Sequence, residues 1–339
     1  MNIGATLVAS LLVTLANPST WALGLTRFLV RGGIVLVVAP IVVLPSSVGL
    51  GNILAPTITL LAFVGLSADV VRLIAGIGAV AVAWLLIGGL FAAFVELDGM
   101  AIVVAEAEER PVRASSLTGI GGGRRAVRIL LARVLVHVPT GIALAWAGSR
   151  VVAVAYAELT LPSDVLTPIA LRVVRGAADG VIVIVVAWLI GETIGGLAAR
   201  RIGIDGAGVL DGVRSAVDRV IRHPIRVLAL AIVPLAALAA VVVLSALASN
   251  LAWDAVRAVL AEGSPSPARV VTIALFIGLW GGGLVLIALA SAWRAAVWTV
   301  EAGGTFGGGT NSREGGWDDD DASATLPNPR PRGGRSDPR

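Results

Sequence analysis

Residues 209–248 read VLDGVRSAVDRVIRHPIRVLALAIVPLAALAAVVVLSALA, with a seam at Pro224. Before the seam, Val209, Leu210, Val213, Ala216, Val217, Val220 and Ile221 recur at the helical period and form one apolar face. Asp211, Arg214, Ser215, Asp218 and Arg222 take the opposite face. Pro224 cannot donate a backbone bond and drives His223 out of the α region, so the helix stops there. After Arg226 no charge occurs until Asp254, and residues 227–248 are long enough to cross a bilayer as a helix. The stretch therefore predicts an amphipathic helix on a membrane surface, a turn, and a crossing.

The whole chain has the same character. Of 339 residues, 57% are apolar and 14% charged, and the mean hydropathy is +0.91, outside the range of soluble domains. Cysteine is absent, which excludes disulfides and thiolate chemistry. Lysine is absent too, so all 26 basic residues are arginine. That excludes Schiff-base chemistry and a Walker lysine, and it reflects a GC-rich genome rather than a nucleic-acid partner. The first 302 residues read as a membrane domain. Residues 303–339 are rich in Gly, Pro, Asp and Arg, with Asp318 to Asp321 in a row, and read as a disordered, solvated cytoplasmic tail.

Working outward, residues 3–16 repeat the opening motif. Leu7, Val8, Leu11, Leu12 and Leu15 line one face and Thr6, Ser10, Thr14 and Asn17 another, with Pro18 as the stop. The segment lacks a basic leader and a small-residue cleavage site, so it reads as a second interfacial helix and not a signal peptide. Crossings are expected near 28–44, 73–95, 129–149, 171–197, 227–248 and 270–293. Residues 53–66 are apolar but short, as a re-entrant segment would be. The fold class is thus all-α and polytopic: six transmembrane helices in three hairpins, with cytoplasmic interfacial helices at 3–16 and 209–222.

Arginine distribution sets the orientation. Segments on one side hold 20 arginines and the alternate loops hold 6, counting Arg27 and Arg31 with the first segment and Arg133 with the second. By the positive-inside rule both termini are cytoplasmic in a prokaryotic plasma membrane. Recurring patterns support the hairpin unit. Val70-Val71-Arg72 returns as Val173-Val174-Arg175, and Ala83-Trp84-Leu85 as Ala187-Trp188-Leu189, then Ala292-Trp293.

A surface helix stopped by proline before a crossing, carried by Leu11 to Pro18 and Val217 to Pro224, resembles a group of uncharacterised prokaryotic six-helix membrane proteins. These are similar to the membrane domain fused to some glycerophosphodiester phosphodiesterases. The resemblance implies a fold and brings no catalytic residues.

The residues offer little chemistry. Gly119 to Arg125 (GIGGGRR) lacks the Lys-Ser/Thr of a phosphate loop and reads as a flexible connector. His137 and His223 sit in different elements, so no metal site and no cofactor is expected. Glu96, Glu192 and Glu301 fall near expected cytoplasmic helix ends and read as interfacial. Gly176/Gly180, Gly191/Gly195 and Gly278/Gly282, with Ala75, Ala79 and Ala83, are spaced for close helix packing. A buried aspartate costs about 2.5–3.5 kcal/mol, so Asp179, one turn after Arg175 and two after Arg172, marks a candidate intramembrane polar cluster, read first as an ion pair near the outer interface and alternatively as part of a polar pathway. Arg214, Arg219 and Arg222 are candidate lipid-headgroup contacts. The expected function is that of a non-catalytic integral membrane protein, a scaffold or lipid-interacting accessory, partnered by membrane lipids and by a second copy or another membrane protein. The alternative is a small-solute transporter or permease with a polar pathway near Asp179.

Overall fold

The computed structural model describes residues 2–39, 68–108, 122–161, 163, 164, 167, 169–261 and 267–306. The expected re-entrant segment at 53–66, the tail from 307 onward, and residues 40–44 and 119–121 lie outside the described residues. The elements are α1 (Ile3–Ala16), α2 (Pro18–Phe28), α3 (Ile34–Val38), α4 (Ala68–Glu108), α5 (Gly122–Thr160), α6 (Ile169–Gly176), α7 (Ala178–Asp205), α8 (Val209–Arg222), α9 (Pro224–Ala261) and α10 (Pro267–Phe306). Among the described residues there is no strand. Six helical stretches are long and apolar enough to cross a membrane: Pro18–Val38, Val71–Glu106, Gly122–Glu158, Ala178–Asp205, Pro224–Ala261 and Pro267–Gly303. The protein is an all-α, multi-pass membrane protein.

Several boundaries differ from the expected ones, for local reasons. The first crossing begins at Pro18, not near residue 28, because proline is well suited to the first helical position. The fourth is two helices, α6 and α7, broken at Ala177 (φ −111°, ψ 19°). Gly122 to Arg125 belong to α5 and are not a flexible connector, and α10 runs four residues into the expected tail. Extra turns are compatible with tilt and with helix ends that leave the hydrocarbon.

The two prolines that open crossings work alike. α1 and α8 each have 14 residues, each ends in a single non-helical residue (Asn17 φ −120°, ψ 86°; His223 φ −133°, ψ 55°), and each is followed by proline opening the next helix. The residue before proline is forced out of the α region, which produces the break in both places.

The most extensive pairings join α5 to α7 and α9 to α10. α2 bridges α10 and α4, α8 lies on α7 and α5, and α1 lies on α10. Glycine sets the closeness of the α5 contact. A Cβ on Gly180 would sit 3.0 Å from Ala147 Cβ, and one on Gly191 would sit 3.0 Å from the Val136 carbonyl oxygen. Gly278 and Gly282 instead face open space, and Ala75, Ala79 and Ala83 are exposed, so this small-residue spacing does not make helix contacts within the chain.

The bundle is packed at one end and splayed at the other. Leu97 and Met100 of α4, Ile129 of α5, Ile202 of α7, Leu230 of α9 and Val297 and Trp298 of α10 share one buried cluster. It lies where α4, α7 and α10 finish and where α5 and α9 begin, the closed end. Towards the other end Ile77, Leu85, Ile142, Ile182, Leu244 and Val270 are all exposed. Such a continuous apolar exterior is a lipid-facing surface.

Candidate functional site

Construction of the site begins at Gly32. Leu29–Gly33 forms a kink between α2 and α3, and Gly32 has φ 99°, a left-handed value that favours glycine. Arg31, just before it, leaves the helical region (φ −82°, ψ 16°). At this kink Arg31 reaches α4 and α7, where it meets two carboxylates.

Glu96 of α4 is the inner carboxylate, 3% exposed. Arg133 Nη2 of α5 donates to both its oxygens, at 2.8 and 2.7 Å. Arg200 Nη1 of α7 donates to Oε1, Arg27 Nη1 of α2 lies at 3.5 Å, and Arg31 Nη2 at 3.7 Å. Arg200 also donates to the carbonyls of Gly196 (3.2 Å) and Ala295 (2.9 Å), so it clamps α7 to α10. Beneath Arg27, Glu96 and Arg200 lies a cavity of about 30 Å³, room for a water and little more.

Glu192 of α7 is the outer carboxylate. Its Oε1 faces Arg31 Nη1 at 3.1 Å, Arg294 Nη2 at 3.3 Å and Arg133 Nη1 at 3.6 Å. His137 Nε2 stands 3.7 Å from Oε2. The His137 Nδ1 lies 2.8 Å from the Arg133 carbonyl oxygen, which can only accept, so Nδ1 carries the proton. Arg294 also sits over the Trp188 ring at 5.8 Å, a favourable cation–π arrangement. Arg31, Arg133 and Arg294 thus come from the first, second and third hairpins and meet at one carboxylate.

Each hairpin repeats one pairing: an arginine of its first helix with a glutamate of its second. Arg27 takes Glu96, Arg133 takes Glu192, and Arg226 takes Glu301. The third pair stands apart, nearer the closed end. Arg226 donates to Glu301 at 2.7 and 2.8 Å and Arg219 of α8 joins at 2.5 Å, which ties the short helix to α9 and α10.

These positions overturn several expectations. Glu96 and Glu192 are enclosed by arginines, about 18 and 20 Å along α4 and α7 from the closed ends of those helices at 1.5 Å per residue. Arg172, Arg175 and Asp179 do not form a cluster, because the break at Ala177 destroys their helical register. Arg172 pairs instead with Glu158 at 3.0 Å and Asp179 with Arg150 at 3.2 Å, with Asp179 about half exposed. Arg219 is paired with Glu301 and largely covered. Arg222 is exposed beside Asp218, and Arg214 is exposed.

Five arginines (27, 31, 133, 200 and 294) surround two glutamates in this network, so with His137 neutral the formal charge is +3 (5 − 2). Removing charges from water costs several kcal/mol per ion unless they are paired and hydrogen-bonded. The arrangement can hold helices together and attract anions. Its carboxylates are engaged by guanidiniums, and among the described residues no group of three His, Cys, Asp or Glu side chains is placed to hold a metal. No family model, curated protein or solved structure matches this chain. The site is therefore read from its own geometry.

Proposed function

We propose that the protein is a non-catalytic integral membrane protein of a prokaryotic plasma membrane, both termini cytoplasmic, that acts as a lipid-interacting scaffold. The observation that carries this reading is the exposed aliphatic surface on both short helices, although α1 buries its polar face and α8 packs Val209, Val213 and Val220 on the core. In α1, Thr6, Ser10 and Thr14 are fully buried while Val8, Leu12 and Leu15 are exposed. Trp293 Nε1 donates to the Leu7 carbonyl (3.2 Å) and Ser10 Oγ (3.1 Å), which holds the polar face inward. In α8, Gly212 and Ala216 pack inward, while Leu210 and Ile221 are exposed beside Arg214 and Arg222. Ile225 continues that aliphatic surface. Aliphatic side chains flanked by arginine suit the boundary between acyl chains and anionic headgroups.

The cysteine-free chain makes a direct test simple. A single cysteine at Leu12 or Ile221, carrying an environment-sensitive fluorophore, should be quenched by lipids brominated near the headgroup. One at Asp218 should be quenched less. Water exposure of both Leu12 and Ile221 in vesicles would end this reading.

A second reading, passage of a small anionic solute, is favoured by one observation: the excess positive charge around Glu192. It moves the polar pathway from Asp179 to Arg31, Arg133 and Arg294. Uptake of radiolabelled anions into vesicles that contain the purified protein would select it over the scaffold reading.

A further inference from the structure

We infer that the outer rim of the arginine network, Arg31, Arg133 and Arg294 around Glu192, is a binding site for a phosphate group. Three observations converge on this. The first is charge: three guanidiniums face one carboxylate, a local excess of +2 (3 − 1). The second is unused donor capacity. Within this rim, Arg133 Nε and Nη1 are buried and make no hydrogen bond within the protein. A buried donor left without an acceptor costs about 1–3 kcal/mol, more when it is charged, so the network stands to gain from another anion.

The third is access. Of the inner layer, Arg27, Glu96 and Arg200 are buried, and the adjoining pocket has room for little more than a water. The outer layer is open by comparison. The Arg31 side chain is 26% exposed, and Glu192, His137 and Arg294 are partly exposed. A group larger than water therefore meets Arg31 and Arg294 first, with Arg133 behind them.

The chemistry of the donors selects phosphate. Guanidinium forks match the paired oxygens of phosphate and carboxylate. A phosphate monoester carries about −1.5 to −2, close to the local excess, whereas a halide or single carboxylate leaves half of it uncompensated. Glu192 keeps the three forks aligned from behind. Arg294 is also held by Trp188, so little side-chain freedom is lost on binding. Two sources share this chemistry. One is inorganic phosphate; the other is a phospholipid headgroup whose chains lie on the apolar surface, where Ile34 and Ile190, neighbours of Arg31 and Glu192 in their elements, are exposed.

The test uses the full chain in maltoside micelles, which supply no phosphate. Thermal unfolding is followed with added sodium phosphate against sodium chloride at equal ionic strength, and with phosphatidic acid against the matching diacylglycerol. The expected result is a saturable rise in Tm with a phosphate-bearing addition and none with chloride or diacylglycerol. R294Q and R31Q should weaken the apparent affinity about tenfold each, one charge-assisted contact at 1.4 kcal/mol per decade. The exposed-pair variant R257Q should bind as the parent does. A response to sodium phosphate supports a site for the free anion; a response to phosphatidic acid alone supports the headgroup. If neither raises Tm, or if R294Q and R31Q respond like the parent, the inference is wrong. If R31Q does not fold, R294Q and R294K decide the matter, with R294K expected to lie between R294Q and the parent.

Discussion

Substituting Glu96 by glutamine should destabilise the fold far more than any change at Asp179. Glutamine keeps the shape and one accepting oxygen, so packing around position 96 is preserved. What disappears is the charge facing Arg27, Arg31, Arg133 and Arg200. The network moves from +3 to +4, five arginines against Glu192 alone. Removing one partner of a buried ion pair costs about 3–5 kcal/mol, and the remaining amide oxygen places E96Q near the lower figure. A loss of about 3 kcal/mol shifts the folding equilibrium by roughly a hundredfold, a large share of the ~5–15 kcal/mol that holds a typical domain. D179N breaks an exposed pair with Arg150, side chains 48% and 44% exposed, and such pairs contribute about 0–1 kcal/mol. Equilibrium unfolding in mixed maltoside and dodecyl sulfate micelles, read by the fluorescence of the nine tryptophans, separates the two. Adding R200Q to E96Q returns the network to +3 (4 − 1) and should recover part of the loss, a coupling that a double-mutant cycle measures. If E96Q unfolds at the same detergent fraction as D179N, Glu96 does not neutralise a buried cationic cluster and the account of the network fails.

Other substitutions probe other parts of the frame. G32A forces a Cβ into φ 99° and should cost about 1–2 kcal/mol, with weaker phosphate binding because Arg31 is displaced; unchanged melting would refute the strained turn. G24A would place a Cβ 2.7 Å from the Ala292 backbone nitrogen and should cost about 1–3 kcal/mol, whereas G278A, in open space, should be neutral or stabilise by up to about 1 kcal/mol. E301Q should release Arg219 and Arg226 and raise hydrogen exchange across residues 209–222; unaltered exchange would mean that α8 is held by packing alone. For orientation, cysteine in place of Ala114 should resist, and in place of Ser264 should accept, a membrane-impermeant reagent added to intact cells.

Much of this fold could be read from the chain because charge and length constrain a membrane helix so strongly. The charge-free run from Val227 to Ala248 admits few alternatives, and Pro18 and Pro224 announce the short-helix joints. The site was harder to see. Glu96 meets Arg27 across 69 positions and Arg200 across 104, and no local pattern reveals such register. A crossing drawn at its minimum length puts Glu96 at a helix end, whereas α4 extends well past it. Asp179 was expected to pair with Arg175 but pairs with Arg150, because it lies in the first turn of α7 after a break that hydropathy does not show. One signal was present but unused: an arginine early and a glutamate late in every hairpin. For α1 the two faces were identified correctly, but not which of them packs inward. That choice belongs to Trp293, nearly the whole chain away.

The three-way meeting at Glu192 also bears on how the chain is made. Arg27 and Arg31 leave the ribosome long before Glu96, and Glu192 and Arg294 follow later still. Until its partner emerges, an early arginine has no carboxylate, and any time it spends in hydrocarbon carries the penalty of a lone charge, which favours keeping the first crossing shallow or beside the insertion machinery. Glu192 is the last acid of the network to arrive and Arg294 its last base. A chain cut short before Glu192 therefore leaves Arg31 without the carboxylate that stands 3.1 Å away in the finished fold.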